Sequence, residues 1–163
     1  MSDALKETAR IQSRVADPTR SAWVSANAGT GKTYVLVRRV IRQLLEGAHP
    51  QAILCITYTK AAAAKMSDRL LGMLSNWALL PDDALDVAIQ DVTGQMPSEA
   101  ARERARRLFA LSLESPGGLK IQTIHSFCSS LLSRFPVEAS VPLAFQPLED
   151  DQAAALMREA VAK

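Results

Sequence analysis

The chain has 163 residues, of which 48% are hydrophobic and 22% charged, and its 19 basic and 17 acidic residues give a formal net charge of +2. This composition excludes a disordered, collagen-like or disulfide-rich protein, and the charge is too small to indicate nucleic-acid binding by itself. The two cysteines, Cys55 and Cys128, lie among apolar or small residues. We predict that both are reduced core thiols rather than zinc ligands.

The sequence contains no run of about 18 apolar residues, so we expect no membrane-spanning segment. Its first residues include acidic side chains and lack the apolar segment of a signal peptide. We therefore expect a cytoplasmic protein.

Three strand-then-helix units follow one another along the chain. They pair a strand over residues 22–24 with a helix over 32–45, a strand over 52–56 with a helix over 59–77, and a strand over 119–123 with a helix over 124–134. The continuous apolar run at 52–56 is typical of a strand buried on both faces. Strands that alternate with helices predict an α/β fold with a parallel sheet.

Residues 79–118 interrupt this alternation and are predicted to be a helical insertion, with Ser98 as a helix cap. The insertion carries four arginines, which are Arg102, Arg104, Arg106 and Arg107. They form either a solvent-exposed basic face or a DNA-contacting face. Residues 149–162 predict one last short helix.

The most informative segment is the glycine-rich turn between the first predicted strand and its helix. It comprises Ser25, Ala26, Asn27, Ala28, Gly29, Thr30, Gly31, Lys32 and Thr33. Glycines let the backbone curl so that several N–H groups point at one anion, and the start of a helix adds partial positive charge. In this pattern Lys32 reaches the β- and γ-phosphates of a nucleotide and the Thr33 hydroxyl ligates Mg²⁺. The strict pattern has glycine at position 26, where this chain has alanine.

Polar residues also follow the other two predicted strands. They are Thr57, Tyr58, Thr59 and Lys60 after the second strand, and Thr123, His125 and Ser126 after the third. Parallel strands end at one edge of a sheet, so we expect these loops to lie near the phosphate-binding turn. Their hydroxyls suit phosphates, and Tyr58 offers a ring on which a base could stack. Alternatively, Thr59 and Ser126 are helix caps, Tyr58 is a core or rim aromatic residue, and His125 is structural.

Together these motifs resemble those of superfamily 1 DNA helicases of the UvrD and RecB type. The turn resembles their Walker A motif, in which alanine often replaces the first glycine, and residues 53–66 and 123–127 resemble DNA-contacting motifs. Gln12 matches the adenine-reading Q motif. Residues 115–121 and 134–139 are most similar to the AddA family of helicase–nuclease subunits, which resect double-strand breaks together with AddB.

The resemblance implies an incomplete P-loop NTPase (RecA-like) fold, with helices on both faces of a parallel sheet, and ATP and Mg²⁺ as cofactors. The partners it implies are single- and double-stranded DNA ends and an AddB-like subunit. The implied nucleotide contacts are Gln12, Ser25, Ala26, Asn27, Ala28, Gly29, Thr30, Gly31, Lys32, Thr33 and Tyr34. Lys32 and Thr33 are the implied catalytic residues, and Thr33 is the implied Mg²⁺ ligand. The implied DNA contacts are Thr57, Tyr58, Thr59, Lys60, Thr123 and His125.

The sequence departs from these helicases in lacking a clear Walker B pair, an arginine finger and a second RecA-like domain. Residues 148–152 resemble Walker B only loosely, and we interpret them as unrelated to it. We therefore expect the N-terminal fragment of a longer enzyme, with little ATP turnover of its own. Its expected parts are the start of the ATP-binding domain (1–78), a helical insertion (79–118), a return strand and helix (119–136), and the truncated start of a helical subdomain (137–163).

Two other functions remain open from the residues. One is a non-catalytic fragment or interaction module. The other is a small P-loop metabolite kinase, for which the arginine segment 102–107 would supply the lid.

Overall fold

The computed structural model describes residues 3–25, 27, 31–148 and 150–162, and it shows a helix-rich α/β chain with a small parallel sheet of two strands. The contacts divide the chain into two units, Met1–Gln122 and Thr123–Lys163. The elements up to the second strand are α1 (Asp3–Val15), α2 (Lys32–Leu45), β1 (Leu54–Thr57), α3 (Lys60–Leu79), α4 (Asp82–Thr93), α5 (Glu99–Glu114) and β2 (Lys120–Thr123). They are followed by α6 (Ile124–Arg134) and α7 (Asp150–Val161).

Local signals set most of these boundaries. Gly47, at φ +103°, follows the end of α2, as expected for a glycine after a helix. The hydroxyls of Thr59 and Ser98 accept hydrogen bonds from N–H groups in the first turns of α3 and α5. Thr123 caps α6 by accepting from the N–H of Ser126. The predicted cap at Ser126 is therefore wrong by three residues.

The core of the first unit lies among α2, α3, α4 and α5. Its most deeply buried large side chains are Ile41, Leu44, Leu70, Leu74, Leu85, Ile89, Val92 and Leu108. Burying an aliphatic side chain of this size contributes about 1.5–3 kcal/mol before entropy is counted. Because α4 and α5 supply four of these residues, the predicted insertion is an integral part of the core of this unit.

Two arginines of α5 tie it to α4. Arg102 donates two hydrogen bonds to the carboxylate of Asp86, at 2.7 and 2.6 Å. Arg106 donates to the carboxylate of Asp82 at 2.5 Å and to the carbonyl of Leu80 at 2.8 Å. These two side chains thus make contacts within the protein, which argues against the lid that the kinase alternative requires.

The predicted strand over residues 22–24 is wrong, because residues 21–25 form no strand and Trp23 is 95% exposed. A strand persists only when a neighbouring strand pairs with it, and three apolar residues do not specify that neighbour. The strand prediction over 52–56 corresponds to β1, but its burial was overestimated. Cys55 packs against the core, whereas Leu54 and Ile56 remain 42% and 46% exposed.

The two cysteines differ in their surroundings. Cys55 is half-buried, and burial raises the pKa of its thiol. Cys128 is exposed on α6, so the prediction that it is a core residue is wrong. None of the described helices combines the length and the apolar character that crossing a bilayer requires.

Two helices lie outside the predicted strand–helix units. The first, α1, was not predicted, because its sequence is mostly polar and gives a weak signal of a buried face. The second, α7, was predicted and begins at Asp150. Asp150 and Asp151 therefore lie in a helix, whereas Walker B carboxylates follow a strand.

Candidate functional site

The backbone turns sharply where the chain enters α2. Gly31 adopts the left-handed conformation, with φ 90° and ψ 12°, which side chains with a Cβ rarely tolerate. A Cβ at this position would also lie 3.3 Å from Nε2 of Gln12 in α1. Both the conformation and the close approach of Gln12 therefore favour glycine here.

The first turn of α2 is suited to an anion. Gly31 is the N-cap and has no side chain to bond the first N–H groups of the helix, and the first turn of α2 contains no acidic residue. The N–H groups at the start of a helix and its partial positive charge attract phosphate. Lys32 and Thr33 stand at this end of α2, with Lys32 exposed and Thr33 half-buried.

The Lys32 ammonium folds back over the turn, where Nζ donates to the carbonyl oxygen of Asn27 at 2.6 Å. This contact holds a positive charge beside the start of α2. One residue beyond Thr33, Tyr34 is held by Arg38, which donates to its hydroxyl and lies 4.8 Å from its ring centroid. Arg38 also pairs with Asp91 of α4 at 2.9 Å.

A cavity of about 220 Å³ lies between α1 and the start of α2. Its walls bring together four of the predicted nucleotide contacts, which are Gln12, Ser25, Gly31 and Lys32. The remaining wall residues are Thr8, Ile11, Val15, Val24 and Val35. The predicted contacts Ala26, Ala28, Gly29 and Thr30 lie outside the described residues.

The loop after β1 displays an aromatic ring. The Thr57 hydroxyl donates to the carbonyl of Thr59 at 3.0 Å, and the Thr59 hydroxyl accepts from the N–H of Ala62 at 3.1 Å. These bonds fix the turn, while Tyr58 is 83% exposed and Lys60 is exposed beside it. Of the predicted DNA contacts in this loop, the two threonines make internal bonds and the other two side chains face solvent.

The remaining predicted DNA contacts belong to the second unit. Thr123 is buried, and its hydroxyl contacts both the N–H and the hydroxyl of Ser126, at 3.2 and 2.9 Å. His125 is exposed. Thr123 thus fulfils the capping role, and His125 is the more accessible of the two.

Sequence reasoning missed the roles of the arginines in α2. Arg38 and Arg42 are buried in this otherwise largely apolar helix face. Burial lowers the pKa of Arg42, and the nearby charge of Arg38 adds to this effect. The available signal was their spacing, because residues four apart in a helix share a face and Val35, Ile41 and Leu44 place that face in the core.

A left-handed glycine that leads into a helix beginning with Lys-Thr is the arrangement of a phosphate-binding loop, here in an α/β chain. Residues 8–163 match the UvrD/REP helicase N-terminal domain, and the chain belongs to this family. The resemblance to UvrD-type helicases predicted from the sequence is therefore confirmed.

Curated relatives make the comparison more specific. The chain is 34% identical over 147 residues to AddA, the first subunit of the ATP-dependent helicase/nuclease, of Enterococcus faecalis, a match that covers 90% of this chain and 10% of that protein. It is 29% identical over 161 residues to the protein of the same name from Ligilactobacillus salivarius, covering 99% and 11%. The similarity to AddA that the sequence predicted is therefore confirmed. The chain spans about a tenth of the length of the curated relatives it matches.

Proposed function

We propose that the chain is the ATP-binding N-terminal portion of an ATP-dependent DNA helicase/nuclease that unwinds and resects double-strand breaks for recombinational repair. It acts in the cytoplasm on single- and double-stranded DNA ends, together with an AddB-like subunit. The observation that carries the proposal is the left-handed turn at Gly31, which places Lys32 and Thr33 in the first turn of α2. Membership of the UvrD/REP helicase family supports it.

ATP and Mg²⁺ fit the residues at this turn. The open first turn of α2 and the Lys32 ammonium offer hydrogen-bond donors and positive charge to the triphosphate. The Gln12 amide, which can donate and accept at once, lies against Gly31 and reads the adenine edge. Thr33 provides a hydroxyl for Mg²⁺. When bound, Mg²⁺ neutralises the charge that develops in phosphoryl transfer.

In this proposal residues 1–78 begin the ATP-binding domain, 79–118 are inserted into it, and 119–136 return to it. Residues 137–163 begin a helical subdomain. The chain binds nucleotide but turns it over slowly, because its sequence offers no clear Walker B pair or arginine finger for the chemical step.

Single-stranded DNA runs past the loop after β1. Tyr58 is the stacking platform, because its ring is displayed to solvent by a turn that the two neighbouring threonines hold in place. Lys60 adds charge for the phosphates, and His125 with Thr123 contributes from the second unit. The hydroxyls of Thr57 and Thr59 support the loop as well as lining the track.

Titration calorimetry with magnesium-ATP tests the nucleotide site. Lys32→Ala is expected to weaken binding roughly 10- to 150-fold, the worth of a hydrogen bond from a charged group. Lys65→Ala, which removes an exposed lysine of α3, serves as the matched control and leaves binding unchanged. An unaltered affinity in a folded Lys32→Ala variant would contradict the site.

Fluorescence anisotropy with a labelled single-stranded oligonucleotide tests the DNA track. Tyr58→Ala is expected to weaken binding by about 1–3 kcal/mol, the range for one base stacked on an aromatic ring. Tyr58→Phe keeps the ring and retains the affinity. Equal binding by both variants would assign Tyr58 no part in DNA contact.

A further inference from the structure

The C-terminal end of α1 is completed by side chains from α2. The last turn of α1 presents four carbonyl groups that need partners from beyond the helix, those of Gln12, Ser13, Arg14 and Val15. N–H groups of the two residues after the helix reach the first and third, at 3.0 and 3.3 Å. The second and fourth accept hydrogen bonds from guanidinium groups of α2.

Arg39 makes the wider of the two connections. Its Nη1 donates to the carbonyls of Val15 and Asp17, at 3.0 and 2.6 Å, and its Nη2 donates to the carbonyl of Arg20 at 2.5 Å. One planar guanidinium therefore holds the end of α1 and the following loop together. Its positive charge also lies where the partial negative charge of a helix end favours it.

Arg42 makes the second connection, one turn further along α2. It donates to the carbonyl and hydroxyl of Ser13, at 2.9 and 3.1 Å, and its Nε donates to the carbonyl of Val92 in α4 at 2.7 Å. Arg42 is buried and joins three helices, so its removal would disturb the core. Arg39 is only half-buried and contacts only the segment from α1 to Arg20, which makes it the position to test.

These contacts fix the register of α1 against α2. Val15, which Arg39 holds, lies one turn after Gln12 in α1, and Lys32 and Arg39 lie two turns apart on one face of α2. The Gln12 amide lies against Gly31 at the other end of the same contact. A shift of α1 along α2 would therefore move Gln12 away from the turn.

We infer that Arg39 is a positioning residue for base recognition: by holding the end of α1 it keeps the Gln12 amide at the height where it distinguishes adenine from other bases. The inference rests on the proposed function, because it takes Gln12 to read the base. Arg39 has no part in holding the triphosphate, which depends on Lys32 and the first turn of α2.

The test compares the affinities of the chain for magnesium complexes of ATP, GTP and inorganic tripolyphosphate by calorimetry. Arg39→Met is expected to lower the ratio of ATP to GTP affinity by about three- to tenfold, the worth of one well-aligned hydrogen bond, and to leave tripolyphosphate affinity unchanged. Gln12→Ala lowers the ratio by the same factor. Arg39→Lys gives an intermediate ratio, because an ammonium cannot reproduce the planar fork. Arg107→Met, at an exposed arginine of α5, is the matched control.

The outcomes separate the inference from the proposed function. An unchanged ratio in Arg39→Met, with a lowered ratio in Gln12→Ala, overturns the inference and leaves the proposed function intact. Equal losses of ATP, GTP and tripolyphosphate affinity in Arg39→Met also overturn it, because they indicate general loss of structure. Lys32→Ala with unaltered tripolyphosphate affinity overturns the proposed function instead.

Hydrogen exchange of the nucleotide-free chain gives a second measurement. Arg39→Met is expected to speed exchange at the N–H groups of Ala16 and Asp17, which bond to the end of α1. Unchanged exchange at both amides would show that Arg39 does not hold this helix end, and would overturn the inference.

Discussion

Thr59 has two roles that substitutions can separate, since it caps α3 and is a predicted DNA contact. Thr59→Ala removes the hydroxyl that accepts from the N–H of Ala62 at 3.1 Å. Thr59→Asn keeps a capping oxygen but changes the group offered to DNA. We expect Thr59→Ala to lose stability and Thr59→Asn to retain it.

The magnitude follows from the place of α3 in the fold. Loss of an N-cap costs about 1 kcal/mol, and α3, with 20 residues, carries Leu70 and Leu74 into the core. Fraying at its start should therefore lower the free energy of global unfolding rather than only loosen a local turn. For a chain of this size the expected fall in Tm is about 2–4 °C.

Urea and thermal unfolding measure the stability, and anisotropy with a single-stranded oligonucleotide measures DNA binding. Ser98→Ala is a matched control, because Ser98 caps α5 with the same geometry, at 3.2 Å to the N–H of Ala101. It should lose similar stability without losing DNA affinity. A Thr59→Ala variant as stable as wild type would refute the capping argument, and equal loss of DNA affinity in Ser98→Ala would show that Thr59 acts only through the fold.

Two further predictions concern titratable groups. Hydrogen bonds from Arg102 lower the pKa of Asp86 below its ordinary value of 3.8, so the stability that this carboxylate contributes is complete above that pH and is lost as the pH falls through the lowered pKa. Asp86→Asn should therefore be destabilising at neutral pH, with a difference from wild type that shrinks below pH 3.8; a constant difference in urea unfolding would contradict this. Cys128 should react with a thiol reagent faster than Cys55, because it is exposed while burial raises the pKa of Cys55. Absorbance at neutral pH should show two phases, of which Cys128→Ser removes the faster, and loss of the slower phase instead would reverse the assignment.

Helices could be predicted from the sequence where the signals are local. The bounds of α2 and α6 agree with the prediction, because Gly47 and Pro136 follow them closely and end the periodic pattern. The strand expected over residues 22–24 could not be judged in the same way, because a strand depends on a partner distant in sequence. The same reason explains why the exposure of Leu54 and Ile56 was missed.

The candidate site divides along the same line. The residue types around Gly31 and Lys32 are set by backbone conformation and charge, so the sequence alone singled them out. The contact between Gln12 and Gly31 depends on the packing of two helices, for which the sequence carries no local signal. The roles of Arg39 and Arg42 also escaped, because a long cationic side chain looks the same in sequence whether it meets solvent or a helix end.

Dependence of α1 on guanidinium groups of α2 bears on how the chain matures as it is synthesised. A helix of 13 residues is marginal in water on its own, and its capping arginines lie 24 and 29 residues downstream of the carbonyls of Val15 and Ser13. The nascent segment must therefore wait until α2 has left the ribosome before it can dock. Synthesis order thus leaves the start of the chain open to chaperones or proteases for the time in which the ribosome adds these residues.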